Sequence, residues 1–217
     1  MSLAQMYCEL LATAGIERGL IGPREVERLW HRHILNSAAL AELIPGGARV
    51  VDVGSGAGLP GVPLALCRPD VHVDLVEALE RRTVFLAEAR ELLGLADQLL
   101  VVRGRAEDAA TVAAVGNADW VTARAVASLD RLVRWCLPLL RPGGYLLAMK
   151  GSSVCEEVER DEPVLRASGV DDVEVRQIGA TLEEPTWVVR IRRGMSPSGA
   201  HSGSGVTGRA QVRKGKR

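Results

Sequence analysis

The chain has 217 residues, of which 47% are hydrophobic and 25% are charged, as expected for one soluble globular domain. Only 3% are aromatic, which argues against an RNA-binding module that stacks bases on exposed rings. The net charge is zero, but the charges are unevenly distributed along the chain. Residues 194–217 hold five bases and no acid, which leaves 22 bases and 27 acids in residues 1–193. Nucleic-acid contact would therefore use a patch or a tail.

The four cysteines are widely spaced and form no CxxC pair, which argues against a disulfide scaffold and against a zinc site. Apolar runs stay shorter than the ~18 residues of a membrane span, and the first residues lack the features of a signal peptide. We expect a cytoplasmic, monomeric protein with no bound metal and no membrane partner.

The chain begins with a predicted helical extension over residues 1–45, with helices at 3–17 and 23–42. The second helix follows Gly22, and Pro23 suits the first helical position. From residue 48 onward, short β-branched segments alternate with helical ones, which predicts a parallel sheet covered on both faces. The predicted strands are 49–53, 71–76, 98–103, 119–123 and 144–149, and the predicted helices are 61–67, 80–93, 106–115, 128–140 and 153–168.

The alternation ends with two strand-like segments, 171–178 and 186–192. Their connection is too short for a helix, so the pair should be antiparallel. This pattern is typical of the α/β class I (Rossmann-like) methyltransferase fold, with a mostly parallel seven-stranded sheet and a C-terminal antiparallel hairpin. We predict a single domain over 1–193 and a disordered basic tail over 194–217.

A glycine-rich loop follows the first predicted strand, within residues 50–61. Its glycines allow tight turns and close approach of a ligand, at the switch point of an open α/β sheet. A dinucleotide fingerprint would need Gly or Ala at position 59, where this chain has Leu59. Asp52 ahead of the loop would repel a pyrophosphate but suits a cationic sulfonium. The loop therefore predicts S-adenosylmethionine as cofactor, with Gly54, Gly56 and Gly58 at the ligand; a tight turn without ligand is the alternative.

Two further strand ends fit this cofactor. Glu77 ends the second strand, where a carboxylate can accept hydrogen bonds from both ribose hydroxyls; the alternative is a solvated strand end. The third strand runs into residues 103–107, where a backbone N–H and an acid can bind the adenine edge.

The turn after the fourth strand bears on the substrate. Residues 122–125 lack the Asn/Asp-Pro-Pro-aromatic turn of methyltransferases that act on exocyclic amines. Cys136 and Cys155 lie in helical segments and do not suggest a nucleophile for pyrimidine C5. The remaining acceptors need no general base: a ring nitrogen such as guanine N7, or a nitrogen, oxygen or sulfur atom of a small molecule.

Residues 3–193 resemble the RsmG (GidB) family, which methylates N7 of a guanine in 16S ribosomal RNA. The resemblance is carried by five segments: 32–37, 52–61, 104–107, 123–129 and 149–151. It implies cofactor contacts at Gly54, Leu59, Ala106, Glu107 and Arg124. Arg124 would orient the cofactor or the base, with no residue acting as catalytic acid or base.

The resemblance also implies substrate contacts at Arg32 and His33. The chain departs from the family at Asn36, where Asp is frequent. Lys150, at the end of the fifth strand, is either a substrate contact beside the pocket or an ordinary surface lysine. The expected partner is 16S RNA or the small-subunit particle, and not DNA. The alternatives are a small-molecule methyltransferase of the same fold and a non-catalytic regulator that binds S-adenosylmethionine.

Overall fold

A computed structural model of the chain describes residues 1–195. Its strands are β1 (Arg49–Val53), β2 (His72–Glu77), β3 (Leu99–Arg103), β4 (Ala118–Arg124), β5 (Leu140–Lys150), β6 (Val170–Ile178) and β7 (Thr186–Arg193). Its α-helices are α1 (Leu3–Leu10), α2 (Asn36–Ala38), α3 (Gly61–Cys67), α4 (Glu80–Leu92), α5 (Ala109–Val115), α6 (Leu129–Cys136) and α7 (Val154–Ala167). The alternation of strands and helices predicted from residue 48 onward is confirmed.

The strands form one seven-stranded sheet in the order β3-β2-β1-β4-β5-β7-β6. Neighbours from β3 through β5 are parallel, whereas β7 is antiparallel to both β5 and β6. The order in which strands are added to the sheet switches at β1, since β2 and β3 lie on one side of it and β4 on the other. The predicted fold class and C-terminal hairpin are thus confirmed, and the switch point between β1 and β4 creates a crevice at the carboxyl ends of the strands.

Both faces of the sheet are covered by aliphatic side chains. In β1, Val50 belongs to the hydrophobic cluster of one face, while Val51 and Val53 belong to that of the other. Residues of α1, α3 and α4 pack on the first face, and residues of α5, α6 and α7 pack on the second. The alternation follows from the two-residue repeat of a strand, and burial on both faces explains why three of the five residues of β1 are valines.

The N-terminal extension is helical over both predicted segments, 3–17 and 23–42, but its helices are irregular. α1 continues as π-helix over Leu11–Gly15. The second segment begins with 3₁₀ turns at Pro23–Arg28, passes through π-helix at Leu29–Leu35 and α2, and ends with 3₁₀ turns at Ala39–Glu42. Irregular turns of this kind occur where side chains enter the backbone hydrogen-bond ladder.

Two predicted helices are shorter in the structure. α5 begins at Ala109 because Asp108 accepts a hydrogen bond from the Arg105 amide (3.1 Å), which leaves residues 105–108 as a turn. α6 ends at Cys136 and is followed by 3₁₀ turns at Leu137–Leu139, where Pro138 cannot donate to a helical ladder. β5 then starts at Leu140, four residues before the predicted strand.

The predicted tail lies mostly outside the described residues, which end at 195. Its first residue, Gly194, is buried and its amide donates to the carbonyl of Gly169 (2.8 Å), so the packed chain extends beyond residue 193. Within residues 1–195, no helix has the length and apolarity needed to cross a membrane.

Candidate cofactor and substrate site

A cleft of about 580 Å³ lies at the carboxyl ends of β1, β2, β3 and β4. Its wall is built from residues that are far apart in the sequence, since each of these strands contributes the loop that follows it. The residues of the wall to which the sequence assigned a role are Gly54, Gly56, Leu59, Glu77, Ala106, Glu107, Arg124 and His33. Its volume is in the range that holds a nucleoside-sized ligand.

The glycine-rich loop is held to the next strand by its own backbone. The amides of Gly54 and Ser55 donate to the carbonyl of Val76 at 2.9 and 3.1 Å. Gly54 has φ +66°, and a Cβ there would lie 2.9 Å from Val126. Gly56 has φ +59°, but a Cβ there would have only a carbonyl oxygen, at 3.8 Å, within 4 Å. Gly54 is therefore required for packing, whereas Gly56 leaves open space beside the cleft.

Glu77 lies at the end of β2 and is only 3% exposed. Its Oε2 accepts from the amide of Gly56 (3.0 Å) and its Oε1 from the amide of Leu79 (2.9 Å). Arg82 also donates to Oε2, at 3.4 Å. The carboxylate is thus held against the glycine-rich loop on the cleft wall and is not a solvated strand end.

Gly58, which the sequence placed at the cofactor, is not part of the cleft wall. Its φ is +99°, and a Cβ at this position would lie 2.6 Å from Val62 and 2.8 Å from the hydroxyl of Tyr7. Ligand contact at Gly58 stays a prediction, and the glycine is needed in any case because α1 and α3 pack against it.

Asp52 also lies away from the cleft wall. It is fully buried, and its carboxylate accepts from the hydroxyl of Thr122 (2.8 Å) and from the amide of Gly61 (3.1 Å). Burial raises the pKa of Asp52 to about 7, against the opposing effect of these hydrogen bonds. Its acidity was interpreted as suiting a sulfonium at the loop, but the side chain instead joins β1, β4 and the start of α3.

Arg124 connects the cleft to the N-terminal extension. Its Nη1 donates to the hydroxyl of Ser37 (3.0 Å) and to the carbonyl of His33 (3.3 Å), and its Nη2 donates to the ring of His33 (2.6 Å) and to the carbonyl of Arg32 (3.4 Å). His33 lines the cleft, whereas the Arg32 side chain is exposed outside the wall. Both carbonyls belong to the π-helical turn at Leu29–Leu35.

Lys150 is not part of the cleft wall, and substrate contact at this residue stays a prediction. Its ammonium group donates to the carbonyl of Ala127 (2.9 Å) and pairs with Glu157 of α7 (2.8 Å). The side chain is 11% exposed, so the charge is neutralised inside the protein. Lys150 thereby connects the loop after β4 to α7 and stabilises that loop.

Several residues of the wall carried no recognisable signal in the sequence. Trp135 of α6 reaches the cleft, although its neighbour Cys136 is buried. Burial also raises the pKa of the Cys136 thiol far above its ordinary range, which disfavours a thiolate nucleophile. Leu20 and Ile21 reach the cleft from the extension. Their distance from the glycine-rich loop in the sequence conceals this contact.

Asn36 lies next to the residues that hold Arg124 but is buried, at 6% exposure, and its Oδ1 has no hydrogen-bond partner within the described residues.

Within residues 1–195, no group of three or more His, Cys, Asp or Glu side chains has the arrangement of a metal site.

The strand order and the position of the cleft define a Rossmann-like methyltransferase fold. TYW2 of M. jannaschii, solved in complex with AdoMet, superposes with a TM-score of 0.56 at 20% identity, covering 74% of each chain. The mitomycin 7-O-methyltransferase MmcR gives a TM-score of 0.60 at 18% identity, covering 89% of this chain and 61% of its own. At such identities the likeness shows the fold alone.

The sequence assigns the family. Residues 1–185 match the GidB family, rRNA small subunit methyltransferase G, and the chain belongs to it. The ribosomal RNA small subunit methyltransferase G of Mycobacterium sp. (strain JLS) is 54% identical over 214 residues, covering 98% of this chain and 92% of its own length. That of Corynebacterium jeikeium (strain K411) is 56% identical over 194 residues, covering 89% and 86%. The resemblance to the RsmG (GidB) family is confirmed.

Proposed function

We propose that this protein methylates N7 of a guanine in 16S ribosomal RNA, with S-adenosylmethionine as the methyl donor. The proposal rests on membership of the rRNA small subunit methyltransferase G family together with one structural observation. That observation is the convergence of the glycine-rich loop, Glu77 and Arg124 on a single cleft. Residues 1–193 would act as one methyltransferase domain, with 1–45 as its helical extension, in a cytoplasmic monomer.

The cofactor would occupy the part of the cleft nearest β1, β2 and β3. Gly56 leaves room for it, and the buried carboxylate of Glu77 would accept hydrogen bonds from ribose hydroxyls. The turn at residues 105–108 presents Ala106 and Glu107 to the adenine, and Leu59 closes the wall. When bound, S-adenosylmethionine supplies an electrophilic methyl group.

The protein's own contribution is orientation and exclusion of water. Guanine N7 carries an in-plane lone pair and no proton, so attack on the methyl group requires no general base. Arg124 lies on the wall and is held by several acceptors, so it can fix the relative position of base and donor without reorganisation.

RNA would reach the cleft across a rim of arginines. Elsewhere on the surface many arginines pair with acids, as Arg141 does with Asp119 (2.6 Å). Arg28 and Arg32 are exposed and form no ion pair with any described residue, and the same is true of Arg105 on the cleft wall. Cations without an acidic partner remain available for phosphates of 16S RNA or of a small-subunit particle.

The small-molecule alternative predicts a closed pocket lined by aromatic rings. In the described part of the chain, Trp135 is the only Phe, Tyr or Trp on the cleft wall. That wall gives a small substrate little to stack on, which favours RNA.

The test is transfer of a labelled methyl group to 16S RNA and to isolated small subunits, followed by chemical cleavage at N7-methylguanine and mapping of the cleaved nucleotide. We expect label at one guanine, sensitive to that cleavage. Label in another base or at another guanine atom would contradict the proposed acceptor. Label in neither RNA nor particles would contradict the proposed substrate.

A further inference from the structure

The contact between Arg124 and His33 fixes the protonation of the imidazole. A guanidinium has only N–H donors, so the Nδ1 of His33, 2.6 Å from Arg124 Nη2, must accept. The ring proton therefore lies on Nε2, which is 2.7 Å from Oε2 of Glu25. Glu25, His33 and Arg124 form a chain of hydrogen bonds that runs from the 3₁₀ turn at Pro23–Arg28 to the cleft wall.

The other acceptors around Arg124 belong to the same stretch of chain. Ser37 is fully buried and its hydroxyl accepts from Nη1, while the backbone carbonyls of Arg32 and His33 accept from both ends of the guanidinium. Arg124 is consequently held by residues 32–37, and the orientation of the His33 ring determines one of its two side-chain contacts.

We propose that Glu25 is a positioning residue: by accepting a hydrogen bond from Nε2 of His33, it holds the neutral imidazole in the tautomer and orientation that fix Arg124 on the cleft wall. The inference rests on the proposed function, in which Arg124 orients the base and the methyl donor. Glu25 itself lies outside the cleft wall and acts only through His33.

The charges around His33 make this arrangement sensitive to pH. Burial lowers the pKa of His33, and Arg124 and Arg32 act in the same direction, while the hydrogen bond to Glu25 opposes them. The pKa of Glu25 is itself lowered, chiefly by its hydrogen bond to His33 and further by Arg32 and Arg28, so it stays ionised. The ring is neutral at pH 7.

Protonation of His33 would place a proton on Nδ1, the second ring nitrogen. Two N–H donors would then face each other, and the hydrogen bond between Arg124 and Nδ1 would break. Because the pKa of His33 is lowered from 6.5, the neutral form predominates above that pH and is lost as the pH falls through the lowered value. We expect a methyl-transfer rate that is flat from about pH 6.5 to 9 and declines only in more acidic solution.

The experiment compares kcat, KM for RNA and the affinity for S-adenosylmethionine in Glu25→Gln and Glu25→Ala, with the wild type and Glu27→Ala alongside. Glu27 is an exposed acid on the same turn and serves as the matched control. At pH 7.5, Glu25→Ala should lower kcat by roughly tenfold, as expected from weakening one positioning hydrogen bond. Affinity for the cofactor should remain unchanged by calorimetry, and Glu27→Ala should resemble the wild type.

Glu25→Gln separates positioning from simple structural support. Its amide oxygen can still accept from Nε2, but removal of the negative charge lowers the pKa of His33 further. The acidic decline of the rate should therefore move about one pH unit lower. An unchanged acidic decline, or wild-type kcat in Glu25→Ala, would overturn the proposal. The comparison uses whichever RNA product the wild type makes, so an acceptor atom other than N7 would contradict the proposed function without affecting this test.

Discussion

The sheet and the N-terminal extension differ in how their sequences determine structure. Residues 49–53 form a regular strand and end in a glycine-rich loop whose ligand-facing shape follows from general backbone rules. Residues 23–42 pass through three kinds of helical turn, and their side chains reach across the molecule to Arg124. The sheet therefore forms most of the cleft, while the extension holds one specific side chain, Arg124, on the cleft wall.

The largest effect is expected in the loop of the regular region. Gly56→Val would place a β-branched side chain at φ +59° and into the open space of the cleft. We expect S-adenosylmethionine binding to weaken by at least about a hundredfold. Isothermal calorimetry measures it.

Gly94→Val is the matched control, because Gly94 has φ +65° but no atom within 4 Å of its Cβ position and lies outside the cleft wall. It should strain the backbone similarly and leave cofactor affinity intact. Wild-type affinity in Gly56→Val, or a preference for NAD, would mean that the cleft binds a different ligand.

A smaller effect is expected from Glu77→Ala. The change removes the carboxylate that accepts from Gly56 and that would accept from ribose, and it should weaken cofactor binding by about 1.5–3 kcal/mol. Glu80→Ala is the control, since Glu80 is 69% exposed and pairs only with exposed Arg103. Equal affinities for these two variants would argue against a ribose role for Glu77.

The junction between the two regions is tested by Tyr7→Phe. The hydroxyl of Tyr7 donates to the carbonyl of Ala57 (2.7 Å) in a fully buried position. Its removal leaves that carbonyl without a partner and should cost about 1–3 kcal/mol of unfolding free energy, or a few degrees in Tm. Tyr145→Phe, where the ring stacks on Trp120, should cost less. Equal stabilities would show that the extension does not support the glycine-rich loop through this bond.

The smallest effect is expected outside both regions. Removing residues 196–217 deletes the five bases of the tail and leaves Gly194 packed against Gly169. Thermal stability and cofactor affinity should not change. RNA affinity should decrease, and its salt dependence should become less steep by ~0.7–0.9 log units for each phosphate that the tail neutralises. An unchanged salt slope would show that the tail does not bind phosphates.

Sequence alone predicted the sheet well, because short β-branched segments such as β1 alternate with helical segments, and local rules recognise both. Glu77 was also placed correctly on the cleft wall, since a residue at the end of a parallel strand can be located from the strand alone. The surroundings of Gly58 and Lys150 could not be predicted, because Tyr7 for one and Ala127 for the other come from distant segments. The contacts between the π-helical turn and Arg124 could not be predicted, since they join residues about ninety positions apart.

The position of β7 affects how the sheet can form. β7 lies between β5 and β6, so the last strand in the sequence supplies the partner for two strands that precede it. Before residues 186–193 dock, β5 has a free edge and β6 has no neighbour in the sheet, and such edges favour aggregation. The yield of folded protein therefore depends on a strand that contributes nothing to the cleft wall.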